Sequence, residues 1–268
     1  MIDTHCHLTF PDFSERVDTI LENARGVGVR GIIAVATTPD NARCGLDLAQ
    51  KYENVWCTAG IHPLYADESN DPSSLPEIMS HPKCVAWGEL GLDHHYDKPP
   101  RSDQLVVLEK QLAMIDSCDG DHDEGHNECW KKPVVVHSRK SFDDLLAIFR
   151  TTQIEPSRFV FHCFTGNSDE AKKVLDFGAW ISFTGVVTFS NAPEVAAAAK
   201  IVPADRIMVE TDAPFLTPEP HRKTRPNEPK FVVHTARRLA ELRGVSPEDF
   251  ERQLDANAER FFGITLPE

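Results

Sequence analysis

Gly31-Ile32-Ile33-Ala34-Val35-Ala36 carries no polar side chain. A half-exposed strand alternates apolar and polar residues. A strand apolar throughout is buried on both faces, as in a parallel sheet covered by helices. Upstream of it, Phe13, Val17, Ile20, Leu21 and Ala24 fall at helical spacing, and Gly26 and Gly28 close that helix. Downstream, a second helix is expected from Asn41 to Tyr52. The alternation continues, with apolar strands expected at Val55-Gly60, Cys84-Glu89, Pro133-His137, Phe159-Phe164, Ala179-Phe183 and Ile207-Glu210. Amphipathic stretches such as Leu105, Leu108, Leu112 and Ile115 lie between them. With a first strand at Ile2 the count reaches eight. Eight such units without a linker-like break predict a closed (β/α)8 barrel of TIM type, one domain over 1–268, in preference to an open doubly wound sheet.

The totals bound the function. With 41% hydrophobic and 26% charged residues the chain has the composition of a soluble globular protein. No apolar run approaches the ~20 residues of a membrane span, so no membrane contact is expected. The first strand begins at Ile2 and leaves no room for a signal peptide, so a cytoplasmic location is expected, or a nuclear one in a eukaryote. The 7 cysteines are scattered without a C-x-x-C pair, which predicts free thiols. A monomer without an obligate protein partner is expected. The net charge of -14 opposes non-specific binding to nucleic acid, which rests on neutralised phosphates. A local basic region could still grip a few phosphates: His221-Arg222-Lys223-Thr224-Arg225 with Lys230 after the eighth strand, and Arg139-Lys140 after the fifth. The segment from Cys118 to Trp130 is acidic and rich in His and Gly. Its Asp119, Asp121 and Asp123 approach the spacing of a calcium loop, but Gly125 comes one place late and Trp130 stands where the bidentate Glu belongs. A solvated loop on the N-terminal face is expected.

In a parallel barrel the chemistry sits where strands end. His5 and His7 alternate with Cys6 in an extended strand and so share one face. Other expected strands end in Glu89, in His137, in His162, and in Glu210 followed by Asp212. Each histidine alone would be an ordinary hydrogen-bonded core residue. Carboxylates and imidazoles closing several apolar strands at one end need a shared partner, because buried charge is costly unless paired or coordinated.

These residues lie within longer motifs: Asp3-Thr4-His5-Cys6-His7, Gly60-Ile61-His62-Pro63, Gly88-Glu89-Leu90-Gly91-Leu92-Asp93, Val136-His137-Ser138-Arg139, His162-Cys163-Phe164-Thr165-Gly166, Glu210-Thr211-Asp212-Ala213-Pro214 and Arg225-Pro226-Asn227-Glu228-Pro229. In that order, from Ile2 to Ile264, the chain resembles the TatD family of metal-dependent deoxyribonucleases, within the amidohydrolase-like barrels. It departs at His94-His95, where aromatic residues are more usual, and in the acidic insertion. The resemblance implies two divalent metal ions bridged by Glu89, with His5, His7 and Asp212 completing one site and His137 and His162 the other. A carboxylate has two oxygens and can bridge ions, which a neutral imidazole cannot. The carbamylated lysine of many related hydrolases is removed here, since strand four offers Glu89 and no Lys. The expected reaction is hydrolysis of a DNA phosphodiester, single-stranded or at a strand end, by a water held between two metals. Asp212 would orient and deprotonate that water, with Glu89 bridging. His62 would contact the phosphate or the leaving oxygen, and Arg139, Arg222 and Arg225 would bind phosphate. Glu210 is expected either to hold a ligand's free N–H or to form a buried salt bridge. Ligand type favours Zn, Mn or Co, while the family is associated with Mg. The alternative reading is a metal-dependent amidohydrolase or lactonase acting on a small cyclic amide or ester.

Overall fold

Every one of the eight apolar runs forms a strand: β1 (Ile2–Cys6), β2 (Gly31–Ala34), β3 (Val55–Ala59), β4 (Cys84–Asp93), β5 (Val134–Arg139), β6 (Phe159–Phe161), β7 (Trp180–Phe183) and β8 (Ile207–Val209). The computed structural model describes residues 1–66, 71–120 and 131–267. The helices are α1 (Val17–Arg25), α2 (Pro39–Lys51), α3 (Leu75–Met79), α4 (Arg101–Gly120), α5 (Phe142–Phe149), α6 (Ser168–Phe177), α7 (Pro193–Ile201), α8 (Val232–Arg243) and α9 (Pro247–Phe262). The strands pair in parallel, in sequence order from β1 to β8. The ring is drawn together between its ends by a bridge from Cys6 to Ala213. There Asp212 N–H donates to His5 O at 2.9 Å and His7 N–H to Ala213 O at 2.8 Å. The architecture is the TIM-type barrel expected from the sequence.

Element ends moved for identifiable reasons. Phe13 belongs to a 3-10 turn over Pro11–Phe13, so α1 starts only at Val17. Pro39 suits the first turn of a helix, and the Thr38 hydroxyl accepts from Asn41 N–H at 3.1 Å, so α2 starts two residues before the expected Asn41. Of the loop expected over 118–130, residues 118–120 instead finish α4, and the calcium-loop comparison falls on residues outside those described. Cys6, Cys44, Cys57, Cys84 and Cys163 are free thiols. No helix among the described residues is long and apolar enough to cross a membrane.

Two apolar layers explain why the strands are apolar on both faces. Ile2, Ile33, Val35, Trp56, Val85, Val135, Val160, Trp180 and Met208 fill the barrel, and Phe261, Phe262, Ile264 and Leu266 from α9 and the tail cluster with them. The alternate residues, among them Ile32, Ala34, Val134, Val136 and Phe161, pack outward under the helices. Each buried Val, Leu, Ile or Phe contributes about 1.5–3 kcal/mol. The interior is therefore greasy at the N-terminal end of the strands, and polar groups are left to the other mouth.

Candidate metal centre

Stepping two residues past the apolar filling places the ligand-type side chains. Val135 is followed inward by His137, Val160 by His162, and Met208 by Glu210, as a period of two requires. β1 and β4 need one more device. In β1 the register slips between Asp3 and Cys6, so Ile2 packs inside the barrel and Cys6 outside it, while His5 turns into the site. In β4 the slip falls between Trp87 and Leu90, both of which pack outward, and it delivers Glu89 to the interior. Gly88 makes that bulge possible: its φ is +124°, and a Cβ there would stand 2.5 Å from Val135 O.

Glu89 lies at the centre. Its Oε2 stands 3.3 Å from His5 Nε2 and 3.8 Å from His7 Nε2. The Asp212 Oδ1 closes the same group at 3.7 Å from His5 Nε2 and 3.3 Å from His7 Nε2, and those two nitrogens are 3.4 Å apart. The other oxygen, Oε1, stands 2.8 Å from His137 Nδ1 and 2.6 Å from His162 Nε2, which are 3.3 Å apart. Donors bound tetrahedrally at about 2.1 Å stand roughly 3.4 Å from one another. The separations around His5 and His7 lie near that value, those from Glu89 to His137 and His162 are shorter, and the described residues offer three groups able to hold an ion: His5, His7 and Asp212; His5, Glu89 and His162; and His62, Glu89 and His137.

Hydrogen bonds from the far ring nitrogens fix which lone pairs face inward. His7 Nδ1 lies 3.1 Å from Val35 O, which leaves Nε2 to the site. His162 Nδ1 lies 3.3 Å from Glu210 Oε1, and the same carboxylate accepts from Cys163 N–H and Ser182 Oγ–H, both at 2.6 Å. His137 turns its Nε2 to Asp93 Oδ2 at 3.1 Å and its Nδ1 inward. Such pairings orient and polarise metal-binding imidazoles. His62 differs. Its Nδ1 accepts from Leu64 N–H at 3.0 Å, so the proton of the neutral ring sits on Nε2, 3.1 Å from His137 Nδ1 and 3.4 Å from Glu89 Oε1. His62 therefore offers an N–H donor in place of a lone pair.

Electrostatics favour an ionised Glu89. Burial would raise the pKa of Glu89, but His162 beside it, with the hydrogen bond from His137, holds the carboxyl well below its usual range. Burial likewise opposes ionisation of Asp212, and its bond to His7 outweighs that. The His162 pKa rises well above its ordinary value, burial being overcome by Glu89 and Glu210. His137 is raised through Asp93 and Glu89, and His7 through Asp212, again against burial. Burial lowers His5, and it brings His62 down to about 3, so His62 is neutral at any working pH. Glu89 Oε2 is buried without a hydrogen-bond partner among the described residues, as is His5 Nδ1. A cation facing Oε2 and the His5 and His7 Nε2 atoms would satisfy that oxygen, so the residues fit bound metal.

Comparison with known proteins gives the family. The family model described as TatD related DNase matches residues 2–263. The chain belongs to the TatD family. An Escherichia coli relative named only as an uncharacterized metal-dependent hydrolase, YcfH, is 36% identical, covering 98% of this chain and 96% of its own. The "3'-5' ssDNA/RNA exonuclease TatD" of Klebsiella pneumoniae is 31% identical over 99% of both chains. Among solved structures, YJJV, a TatD homologue of Escherichia coli, superposes with a TM-score of 0.86 at 28% identity, covering 99% of this chain and 98% of that one. Like its relatives, this TatD chain is a metal-dependent hydrolase.

A cavity of about 650 Å³ opens over the TatD centre, with His7, His62, Glu89, His137, His162 and Asp212 on its walls. Arg139 lines it too, its guanidinium 5.1 Å from the centre of the Tyr96 ring. Arg222 and Arg225 do not line this cavity. Arg225 Nη1 donates to Thr217 Oγ1, Arg222 O and Thr224 O, each at 2.9 Å, and Arg222 covers the Phe189 ring at 3.4 Å. Donors in a tight loop are taken by the nearest oxygens. The sequence showed their charge but not that use. His94 turns to Asp144 at 3.4 Å, and Tyr96, two residues on, lines the mouth instead. Asp93 closes the Gly88-Glu89-Leu90-Gly91-Leu92-Asp93 motif. Its signal was parity, because it lies four residues beyond Glu89 on one strand.

Proposed function

We propose that this chain hydrolyses phosphodiester bonds of single-stranded DNA, or of a DNA strand end, with two divalent ions held across Glu89. The observation that carries the reading is the division of the Glu89 carboxylate, one oxygen toward His5 and His7 and the other toward His137 and His162. The name of the Klebsiella relative supports nucleic acid as the substrate class. When bound, two divalent cations lower the pKa of a shared water and neutralise charge on the reacting phosphate. Mg, Mn and Zn all suit the mixed nitrogen and oxygen donors.

The chain's own groups supply the rest. Asp212, ionised and lining the cavity, accepts the proton of the attacking water and orients it. His62 directs its neutral Nε2–H at a phosphate or leaving oxygen, and its low pKa keeps it a hydrogen-bond donor without charge. Arg139 meets a phosphate oxygen at the cavity wall. Asp93 and Glu210 hold the rings of His137 and His162 in the tautomers that present a lone pair inward.

Purified protein with Mg, Mn or Zn is expected to release nucleotides from single-stranded DNA and to leave dihydroorotate-like amides and lactones intact. Asp212→Ala should lower kcat about 10³-fold. Lactone turnover without DNA cleavage in any metal would replace this reading with the amidohydrolase one. A milder loss is expected for Asp93→Ala, about 10–100-fold in affinity for one of the two ions, measured by chelator competition. Unchanged affinity would deny Asp93 its part in orienting His137.

A further inference from the structure

Among the described residues, two aromatic side chains are exposed: Phe215 at 49% and Tyr96 at 48%. Both line the catalytic cavity. Single exposed apolar residues are ordinary on a protein surface. Both exposed aromatic rings standing at one mouth is not explained in that way, since the other Phe, Tyr and Trp rings among the described residues are at least partly buried.

Their positions are equivalent. Phe215 follows Asp212 by three residues, its N–H donates to the Asp212 backbone O at 2.9 Å, and its ring meets that of His7 in the first group edge-on at 6.2 Å. Tyr96 follows Asp93 by three residues, next to the carboxylate that holds His137 of the second group. One ring therefore stands beside each half of the divided centre. Each is braced. Phe10 stacks on His7 with ring centres 4.5 Å apart and meets Phe215 edge-on at 6.1 Å. On the other side Arg139 lies over Tyr96, and His95 meets it edge-on at 4.8 Å.

We infer that Phe215 and Tyr96 are two nucleobase-stacking stations, one for the base on each side of the phosphate being cleaved. The inference rests on the nuclease reading and deepens it. Every nucleobase offers a π face, so stacking grips a strand without reading its sequence. A base inside a duplex has both faces occupied by its neighbours. Two stations flanking a buried centre thus select unpaired nucleotides, and they add hold where a net charge of -14 gives little. Phe10 acts as a positioning residue, keeping Phe215 upright against His7.

The test uses the full chain with Mn and a short single-stranded oligonucleotide, intact or with an abasic residue on one or the other side of the cleaved phosphate. Phe215→Ala should raise KM about 5- to 150-fold on the intact strand. That loss should vanish when one particular side is abasic. Tyr96→Ala should behave likewise, its loss vanishing for the opposite side. Phe215→Trp and Tyr96→Phe should restore KM, which separates stacking from misfolding. The inference is overturned if the losses are equal on intact and abasic strands, if one abasic side cancels both, or if KM does not move. Failure of the unsubstituted protein to cleave any oligonucleotide would remove the nuclease reading itself, and this inference with it.

Discussion

Glu89→Gln is expected to abolish turnover, lowering kcat by about 10⁴-fold or more, and to reduce bound metal from two ions per chain to none. The substitution keeps shape and removes charge. Both halves of the centre lose their shared anion at once, because Oε2 serves His5 and His7 while Oε1 serves His137 and His162. A ligand belonging to one half should behave differently. His162→Asn should empty one position and leave His5, His7, Asp212 and Glu89 able to hold an ion. Elemental analysis of the two variants beside their kcat values separates the cases. If Glu89→Gln keeps two ions, or if both variants lose the same single ion, Glu89 does not bridge.

Why Glu89 could be picked out from sequence, and Arg225 could not, is a matter of physics. A carboxylate ending a strand of apolar residues has no water nearby, so its presence demands a partner, and neighbouring strand ends supplied the candidates. Period-two alternation fixed the inward placement of His137, His162 and Glu210 without any structure. The bulges that turn His5 and Glu89 inward were hidden, because a register slip depends on the neighbouring strand; Gly88 was the local trace of one. Arg222 and Arg225 lie in a loop, where a guanidinium has several oxygens within reach and charge alone does not choose among them. The donor role of His62 was partly legible: its place in a Gly-Ile-His-Pro turn suggested substrate contact, but only the Leu64 N–H bond to Nδ1 assigns the proton to Nε2. Phe215 and Tyr96 carried no signal, since an exposed ring and a buried ring read alike in a sequence.

Removal of metal should cost the fold as well as the activity, and more at pH 8 than at pH 6. Binding that favours the folded chain stabilises it by about 2.7 kcal/mol at a hundredfold excess over Kd, or roughly 5 kcal/mol for two sites. For a chain of this size that is about 10–20 °C in Tm. Without metal, His7, His137 and His162 have raised pKa values, with the carboxylates of Asp212, Asp93 and Glu89 outweighing their burial. Their stabilising contribution is fully present below the ordinary imidazole pKa of about 6.5 and fades as pH rises through the raised values. At pH 6 these three rings are imidazolium ions paired to carboxylates, and each must release its proton before it can bind a cation. At pH 8 that competition is weaker and the metal-free centre has lost part of its internal pairing. His62, its pKa brought down to about 3, releases no proton, and burial lowers His5 as well. The Tm gained on adding Mn or Zn to chelator-treated protein should therefore grow from pH 6 to pH 8. A gain that is constant, or larger at pH 6, would mean that the imidazoles around Glu89 do not exchange protons for metal.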